Sequence, residues 1–343
     1  MAASMMNLLR RNAGFESADV AIDFGTANMM IAEAGAGILF DEPSLCCFVD
    51  DVGRSRLYAA GIDAQAIRER AGSGYRIVRP LRQGVMSDID SGRELLRYAV
   101  ERIGRRRRFA RASAIVGVPA DATQAERQAL LTAVKDAGLA RARLFDEPLM
   151  GAIGAGLLVE EPRGRMVVDC GAGTTEVAII SLGAICVSKS VRIGGDTLDE
   201  AISSHFRTRY RFEIGLRTAE TVKLELAACR GADGEDRRTI EVSGMDDSSR
   251  LPARMSVPVR ELLSIVSRHV EMIVDAVRLA LSEASPELSR DILDDGVTLT
   301  GGSSTIALLS EAMSKATGLQ VRIAPRPRDC VALGLRSVLQ GRR

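Results

Sequence analysis

The sequence is short of the residues on which many active sites depend. It has no tryptophan, four tyrosines and eight phenylalanines, so aromatic residues make up 3% of 343. A surface that stacks nucleic-acid bases needs more of them. Only two histidines occur, His205 and His269, which excludes a His-rich metal site. Neither lies in the glycine-rich or turn-rich setting expected of a Ser-His-Asp triad. The six cysteines (Cys46, Cys47, Cys170, Cys186, Cys229 and Cys330) are scattered and form no Cys-x-x-Cys. That pattern predicts buried, reduced thiols of a cytosolic protein. Charge of one sign is missing too: 46 Lys and Arg against 45 Asp and Glu leave a net charge of +1 and no global case for nucleic acid. No apolar run approaches the roughly 20 residues that span a bilayer. What chemistry there is falls to carboxylates, backbone amides and a bound metal.

What is present is an ordinary globular composition, 46% hydrophobic and 27% charged, in a chain long enough for two cores. Residues 1–18 place Ala2, Met5, Met6, Leu9 and Ala13 on one helical face beside Arg10 and Arg11. The basic residues follow the apolar ones, the reverse of a secretory signal. Two readings stand: an amphipathic membrane-surface helix, or a frayed start to the chain. From Asp19 onward strands and helices alternate, which predicts an α/β body on mixed or parallel sheets. "DSGRELLRYAVERI" is an amphipathic helix with Leu95, Leu96, Ala99 and Ile103 as its apolar face. A short helix is expected near Ala64–Arg70, one from Gly195 to about Tyr210, one from Thr218 to Ala228 and a long one near Val259–Glu283.

The strongest internal signal is a repeat. "VAIDFGTANMMIAEAG" (Val20–Gly35) and "VVDCGAGTTEVAII" (Val167–Ile180) each run an apolar strand into an aspartate, a small glycine-bearing turn and a second apolar strand. The chain therefore reads as a tandem of two related halves. Such a turn aims several backbone N–H groups in one direction and holds phosphate oxygens without a cationic side chain. In the first copy the turn is Gly25-Thr26-Ala27-Asn28, with hydroxyl and amide donors on Thr26 and Asn28; in the second it is built from Gly171, Gly173, Thr174 and Thr175. Asp23 and Asp169 stand just before the turns, where each can hold a hydrated Mg²⁺ that bridges phosphates. One Asp-x-Gly-Thr is compatible with an ordinary β-turn; two copies at the start of two halves are not easily so explained. Neither copy matches the P-loop or the Rossmann glycine pattern.

Two further stretches join the argument. "LTGGSST" (Leu299–Thr305) is a third glycine turn between a strand and a helix, able to receive a phosphate or the sugar beside it, or else a plain tight turn. "FDEPL" (Phe145–Leu149) puts Glu147 at a strand end, where a carboxylate can polarise an attacking water. The alternative is that Glu147 or Asp146 merely caps the following helix.

Taken together, "IDFGTAN", "FDEPLMGAIGAGL", "VVDCGAGTTEVAIISLG", "RIGGDTLDEAI", "IGLRTAETVKLEL", "LTGGSS" and "RDCVALG" resemble the actin/Hsp70/sugar-kinase ATPase superfamily and, within it, the bacterial actin MreB family. The matches run in order from about Asp19 to Leu339. The resemblance implies an actin-like (ribonuclease H-like) duplicated fold, two lobes in four subdomains around a nucleotide cleft. It implies lobes at 19–160 and 161–343, with smaller parts at about 49–87 and 195–253. ATP and Mg²⁺ are the implied cofactors, the metal held at Asp23 and Asp169. Glu147, Thr174 and Asp169 are the implied catalytic set, Glu147 and Thr174 positioning the water. Glu220 and Lys223 match a helix that contacts adenosine, and Gly195, Gly301 and Gly302 complete the implied nucleotide site. The implied partners are further copies of the chain in paired filaments, anionic lipid at the inner face of the cytoplasmic membrane, and cell-wall elongation membrane proteins such as RodZ. The implied role is the organisation of cell-wall synthesis and rod shape.

The sequence departs from that family in three places. Gly-Gly-Gly is replaced by Gly171-Ala172-Gly173 and by Gly301-Gly302-Ser303, so a Cβ enters each turn and bears on nucleotide affinity and hydrolysis rate. The membrane loop, usually a pair of apolar residues, reads "GRRRRFAR", with Phe109 among Arg105, Arg106, Arg107 and Arg108. Four adjacent arginines suit an anionic lipid surface, at about 1 kcal/mol each when close to it, or form a solvated basic turn. Other outcomes on the same fold are a filament for a plasmid or organelle, a weakly hydrolysing ATP-binding scaffold, or a soluble kinase or chaperone ATPase.

Overall fold

The computed structural model describes residues 20–51, 54–68, 70, 72, 74–103, 112–139, 141–227 and 238–341. Met5, Met6, Leu9, Arg105–Arg108, Phe109 and Cys229 therefore lie outside the described residues.

The first half opens with strands β1 (Val20–Phe24), β2 (Asn28–Glu33) and β3 (Gly37–Pro43). A smaller group follows, β4 (Cys46–Asp51), β5 (Arg54–Ala60) and β6 (Tyr75–Val78), then the ribbon β7 (Leu81–Arg82) and β8 (Val85–Met86). β9 (Ser113–Val118) and β10 (Arg141–Asp146) complete the half. The large sheet has the order β10-β9-β1-β2-β3, antiparallel from β1 to β3 and parallel from β1 to β10. The second half repeats this with β11 (Arg165–Cys170), β12 (Thr175–Ser181) and β13 (Ala184–Val191). Its smaller group is β14 (Phe212–Glu213), β15 (Thr239–Asp246) and β16 (Pro252–Pro258), and β17 (Val297–Thr300) and β18 (Val321–Ile323) finish it. The order is β13-β12-β11-β17-β18, with the same pattern of directions. The repeat read in the sequence is thus a repeat of whole sheets.

Local chemistry explains the element ends. The helix Gln124–Asp136 starts from a capping box: the Thr123 hydroxyl accepts from Glu126 N–H, and the Glu126 carboxylate accepts from Thr123 N–H at 2.8 Å. Ser285 caps the helix Pro286–Asp295, and Gly138 at φ 102° turns the chain out of the helix before it. The helix Ile89–Arg102 buries Leu95, Leu96 and Ala99, with Ile103 half-buried beside them. Of the free cysteines among the described residues, Cys46, Cys47, Cys170 and Cys330 are buried as expected, whereas Cys186 is exposed on the outermost strand β13.

Each half has its own apolar core, one around Ile22, Phe24 and Leu95, the other around Val168, Phe206 and Val277. A third cluster joins them: Ala21, Ala32 and Ile115 of the first sheet and Val167, Ala178 and Ile180 of the second pack on the helices Glu147–Gly154 and Cys330–Gln340. Those two helices cross with nothing between their backbones. A Cβ on Gly334 would lie 2.7 Å from the Met150 carbonyl carbon, and one on Gly154 would lie 2.6 Å from that of Cys330. Only hydrogen fits at either position. The sheets are thereby held with the ends of β1 and β11 facing one cleft.

Candidate nucleotide cleft

The cleft between the halves has a volume of about 420 Å³. Asp23, Gly25, Thr26, Ala27 and Asn28 line it from the first half. Asp169, Gly171, Gly173 and Thr174 line it from the second half, together with Gly195, Glu220, Lys223, Gly301 and Gly302, and Glu147 also lines it. Thr175 does not line it. As the first residue of β12 it points into the second half, where it is fully buried and its hydroxyl donates to Ile193 O at 2.8 Å.

The turns are held in part by residues that the sequence reading did not single out. Ser44, fully buried, donates through N–H to Ala27 O and through its hydroxyl to Gly25 O, at 2.8 and 2.7 Å. Thr26 Oγ1 accepts from Gly84 N–H at 3.1 Å, and its carbonyl accepts from Arg79, which also pairs with Asp196 at 3.0 Å. Asn28 turns its amide to Asp41 Oδ1 at 3.2 Å, so that side-chain donor is engaged at the rim. Across the cleft, Ser303 donates to Gly171 O at 2.9 Å, so the third turn is tied to the second. Gly301 at φ 81° brings the third turn against the second, and a Cβ there would sit 2.7 Å from Asp169 Oδ1. That turn is a 3₁₀ segment, Gly302–Thr305, and the α-helix starts only at Ala307. The expected helix N-terminus is therefore set back, and the short turn faces the cleft in its place.

The acids form a crowded group whose charges raise one another, opposed at Asp23 by Arg328. Burial and then the Asp169 charge push Asp23 up to about 7. Burial lifts Asp169 to about 6, against a hydrogen bond from the Thr300 hydroxyl at 2.9 Å. Glu147 is raised well above the ordinary carboxylate range by burial and by Glu176. Glu176, raised to about 8 by burial, accepts from Ala120 N–H at 2.8 Å through one oxygen, while the other is buried without a partner. Asp146 occupies the N-cap position of the helix Glu147–Gly154 but does not cap it; its carboxylate pairs with Arg127 at 2.9 Å. Glu147 is thus inside the first turn, with its carboxyl given to the cleft.

Repelling carboxylates at the roots of two N–H-lined turns fit a divalent cation with a polyphosphate. Among the described residues no group of three or more His, Cys, Asp or Glu side chains could hold a metal alone. Mg²⁺ keeps several waters and takes phosphate oxygens beside one or two carboxylates, so two aspartates would be enough for it. Asp23 and Asp169 are the residues that would hold it.

Comparison with known proteins shows what the whole chain is similar to. The family model for MreB/Mbl protein matches residues 17–343. The cell shape-determining protein MreB of Pasteurella multocida is 39% identical over 331 residues, covering 95% of this chain and 94% of that protein. The crystal structure of MreB 5 of Spiroplasma citri bound to AMPPNP superposes with a TM-score of 0.85 at 31% identity, over 92% of this chain and 93% of that one. A MamK double helical filament shares the fold at a TM-score of 0.75 and 21% identity, over 93% of this chain and 98% of that one.

Proposed function

The chain belongs to the MreB/Mbl protein family, and from that premise we propose that it is an actin-like cytoskeletal protein that binds Mg²⁺-ATP between its halves and polymerises into paired filaments. The filaments lie at the inner face of the cytoplasmic membrane, where they organise cell-wall synthesis and rod shape. The observation that carries the reading is the convergence of two repeated strand-turn-strand units, with Asp23 and Asp169 at their roots, on one cleft. The bound AMPPNP of the Spiroplasma relative, the filament of MamK and the shape-determining role in the Pasteurella relative's name point the same way.

Bound Mg²⁺-ATP supplies a phosphoanhydride open to attack by water. The chain's own residues do the positioning. Backbone N–H groups of Gly25–Asn28 and Ala172–Thr174 would hold the phosphates, the Gly171 N–H being spent on Thr174 O at 2.9 Å, and Asp23 and Asp169 would hold the cation. Glu147 orients the attacking water and accepts its proton at a carboxylate oxygen, with the Thr174 hydroxyl as second anchor. Thr175 acts behind the turn, fixing it through Ile193 O. Glu220, Lys223, Gly195, Gly301 and Gly302 receive the nucleoside. The lobes are taken as 19–160 and 161–343, with smaller parts at about 49–87 and 195–253. Among the described residues no helix is long and apolar enough to cross a membrane. Membrane contact is assigned to Met5, Met6, Leu9, Arg105–Arg108 and Phe109, and the membrane partners to proteins of the RodZ kind.

Electron microscopy of negatively stained protein, with Mg²⁺-ATP and with or without anionic liposomes, tests the whole reading. Paired filaments lying on the vesicles are expected; absence of polymer in both conditions overturns it. Glu147→Gln should keep ATP binding and lower phosphate release by about a hundredfold or more. Unchanged release removes Glu147 from its role.

A further inference from the structure

We propose that Asp199 is a positioning residue for the nucleotide, acting through Lys223 from behind the wall of the cleft. The proposal rests on the reading of the cleft as a nucleotide site. Asp199 lies on the helix Gly195–Tyr210, and Lys223 with Glu220 on the helix Leu216–Ala227. Asp199 Oδ2 accepts from Lys223 Nζ at 2.8 Å, with the two side chains 9% and 13% exposed. The same Nζ donates to Gly195 O at 3.2 Å. Lys223 lines the nucleotide cleft, whereas Asp199 lines an adjoining cavity of about 900 Å³. The ion pair is part of the partition between them.

An ammonium has three N–H donors and no acceptor. Two are taken by Asp199 and Gly195, which fixes the direction of the third. Lysine side chains carry much rotamer entropy, and here it is surrendered on folding, before any ligand arrives. Asp199 also balances the charge, so Lys223 serves as an oriented hydrogen-bond donor more than as a counter-ion for phosphate. The group it suits is an uncharged acceptor on the nucleoside, remote from the two phosphate turns. An exposed lysine pair would not do this, because it would be screened and mobile.

Calorimetric titration of the full chain with Mg²⁺-ATP tests the coupling, using wild type, Asp199→Asn, Lys223→Met and the double variant. Each single substitution should weaken ATP about tenfold, the scale of one charge-assisted hydrogen bond. The double variant should bind no more weakly than Lys223→Met, because Asp199 acts only through that lysine. Inorganic tripolyphosphate should bind all four alike. Wild-type affinity in Asp199→Asn, losses that add in the double variant, or equal losses for ATP and tripolyphosphate overturn the proposal. If Asp199→Asn does not fold, Lys223→Arg keeps the charge but moves the donors; it should lose affinity, and full affinity again overturns the proposal. A wild-type chain that takes up no ATP fails at the earlier step, and the nucleotide reading falls with it.

Discussion

Adding one methyl group should be costly at Gly301 and nearly neutral at Gly302, although the two glycines are adjacent. Gly301 has φ 81° and presses on Asp169 and Cys170, whereas a Cβ on Gly302 meets nothing within 4 Å. Gly301→Ala should destabilise the chain by about 2 kcal/mol or more, from left-handed backbone and overpacking together, and abolish ATP binding. Gly302→Ala should fold within about 0.5 kcal/mol of wild type. Urea midpoints with ATP titrations check both, and equal midpoints would contradict the geometry. At this scale the sequence shows which residues can do chemistry, but not their supports. Ser44 and Arg79 reach the first turn from other elements, and no motif marks them. The pair Thr174 and Thr175 illustrates the limit. Both are small polar residues in one turn, and only the start of β12 decides that the second faces inward.

Elements were largely legible because their signals are local. The helix Val259–Glu283 runs over the span that apolar periodicity predicts, and Gly195–Tyr210 does likewise. The shorter helix expected near Ala64–Arg70 forms instead at Gly61–Ile67. Its start is set from a distance: Gly61 N–H donates to Leu45 O at 2.9 Å and Ile62 N–H to Glu42 Oε2 at 3.0 Å. The crossing of the helices Glu147–Gly154 and Cys330–Gln340 was not legible either. Their glycines read as helix-weakening residues until the partner backbone is seen. Gly334→Ala forces a methyl into the Met150 carbonyl and should cost about 3 kcal/mol, a far larger effect than Ser337→Ala on the same helix. Chemical denaturation of the two variants distinguishes them, and equal midpoints would mean that the crossing can open without penalty.

For the whole molecule, the repeat of sheet order was readable as a repeat of text, because each half begins with the same strand-turn-strand chemistry. The cleft adds a dependence on pH. Asp23 and Asp169 rise from 3.8 to about 7 and about 6 in the folded chain. With folded values above the unfolded ones, the folded state takes up protons first. Their contribution to stability is full below about pH 3.8 and is lost as the pH rises through about 7. A cation held at Asp23 and Asp169, as proposed, would replace those protons and compete with them at low pH. Mg²⁺-ATP should therefore raise the melting temperature more at about pH 8 than at about pH 6, and ATP with EDTA should show little of that difference. Equal shifts at both pH values would place the cation elsewhere.

The helix Cys330–Gln340 lies against the first sheet, covering Ala21, Ala32 and Ile115, and Gln340 donates to Ala34 O at 2.9 Å. A helix made after the strands of the second half thus completes the half that is made first. During synthesis the first sheet leaves the ribosome with only the helix Glu147–Gly154 on the apolar face that Cys330–Gln340 later covers. At about 5–20 residues per second, roughly ten to forty seconds pass between the emergence of β10 and that of its cover. Over that interval the uncovered apolar area is open to chaperones and to a second such half on the same messenger.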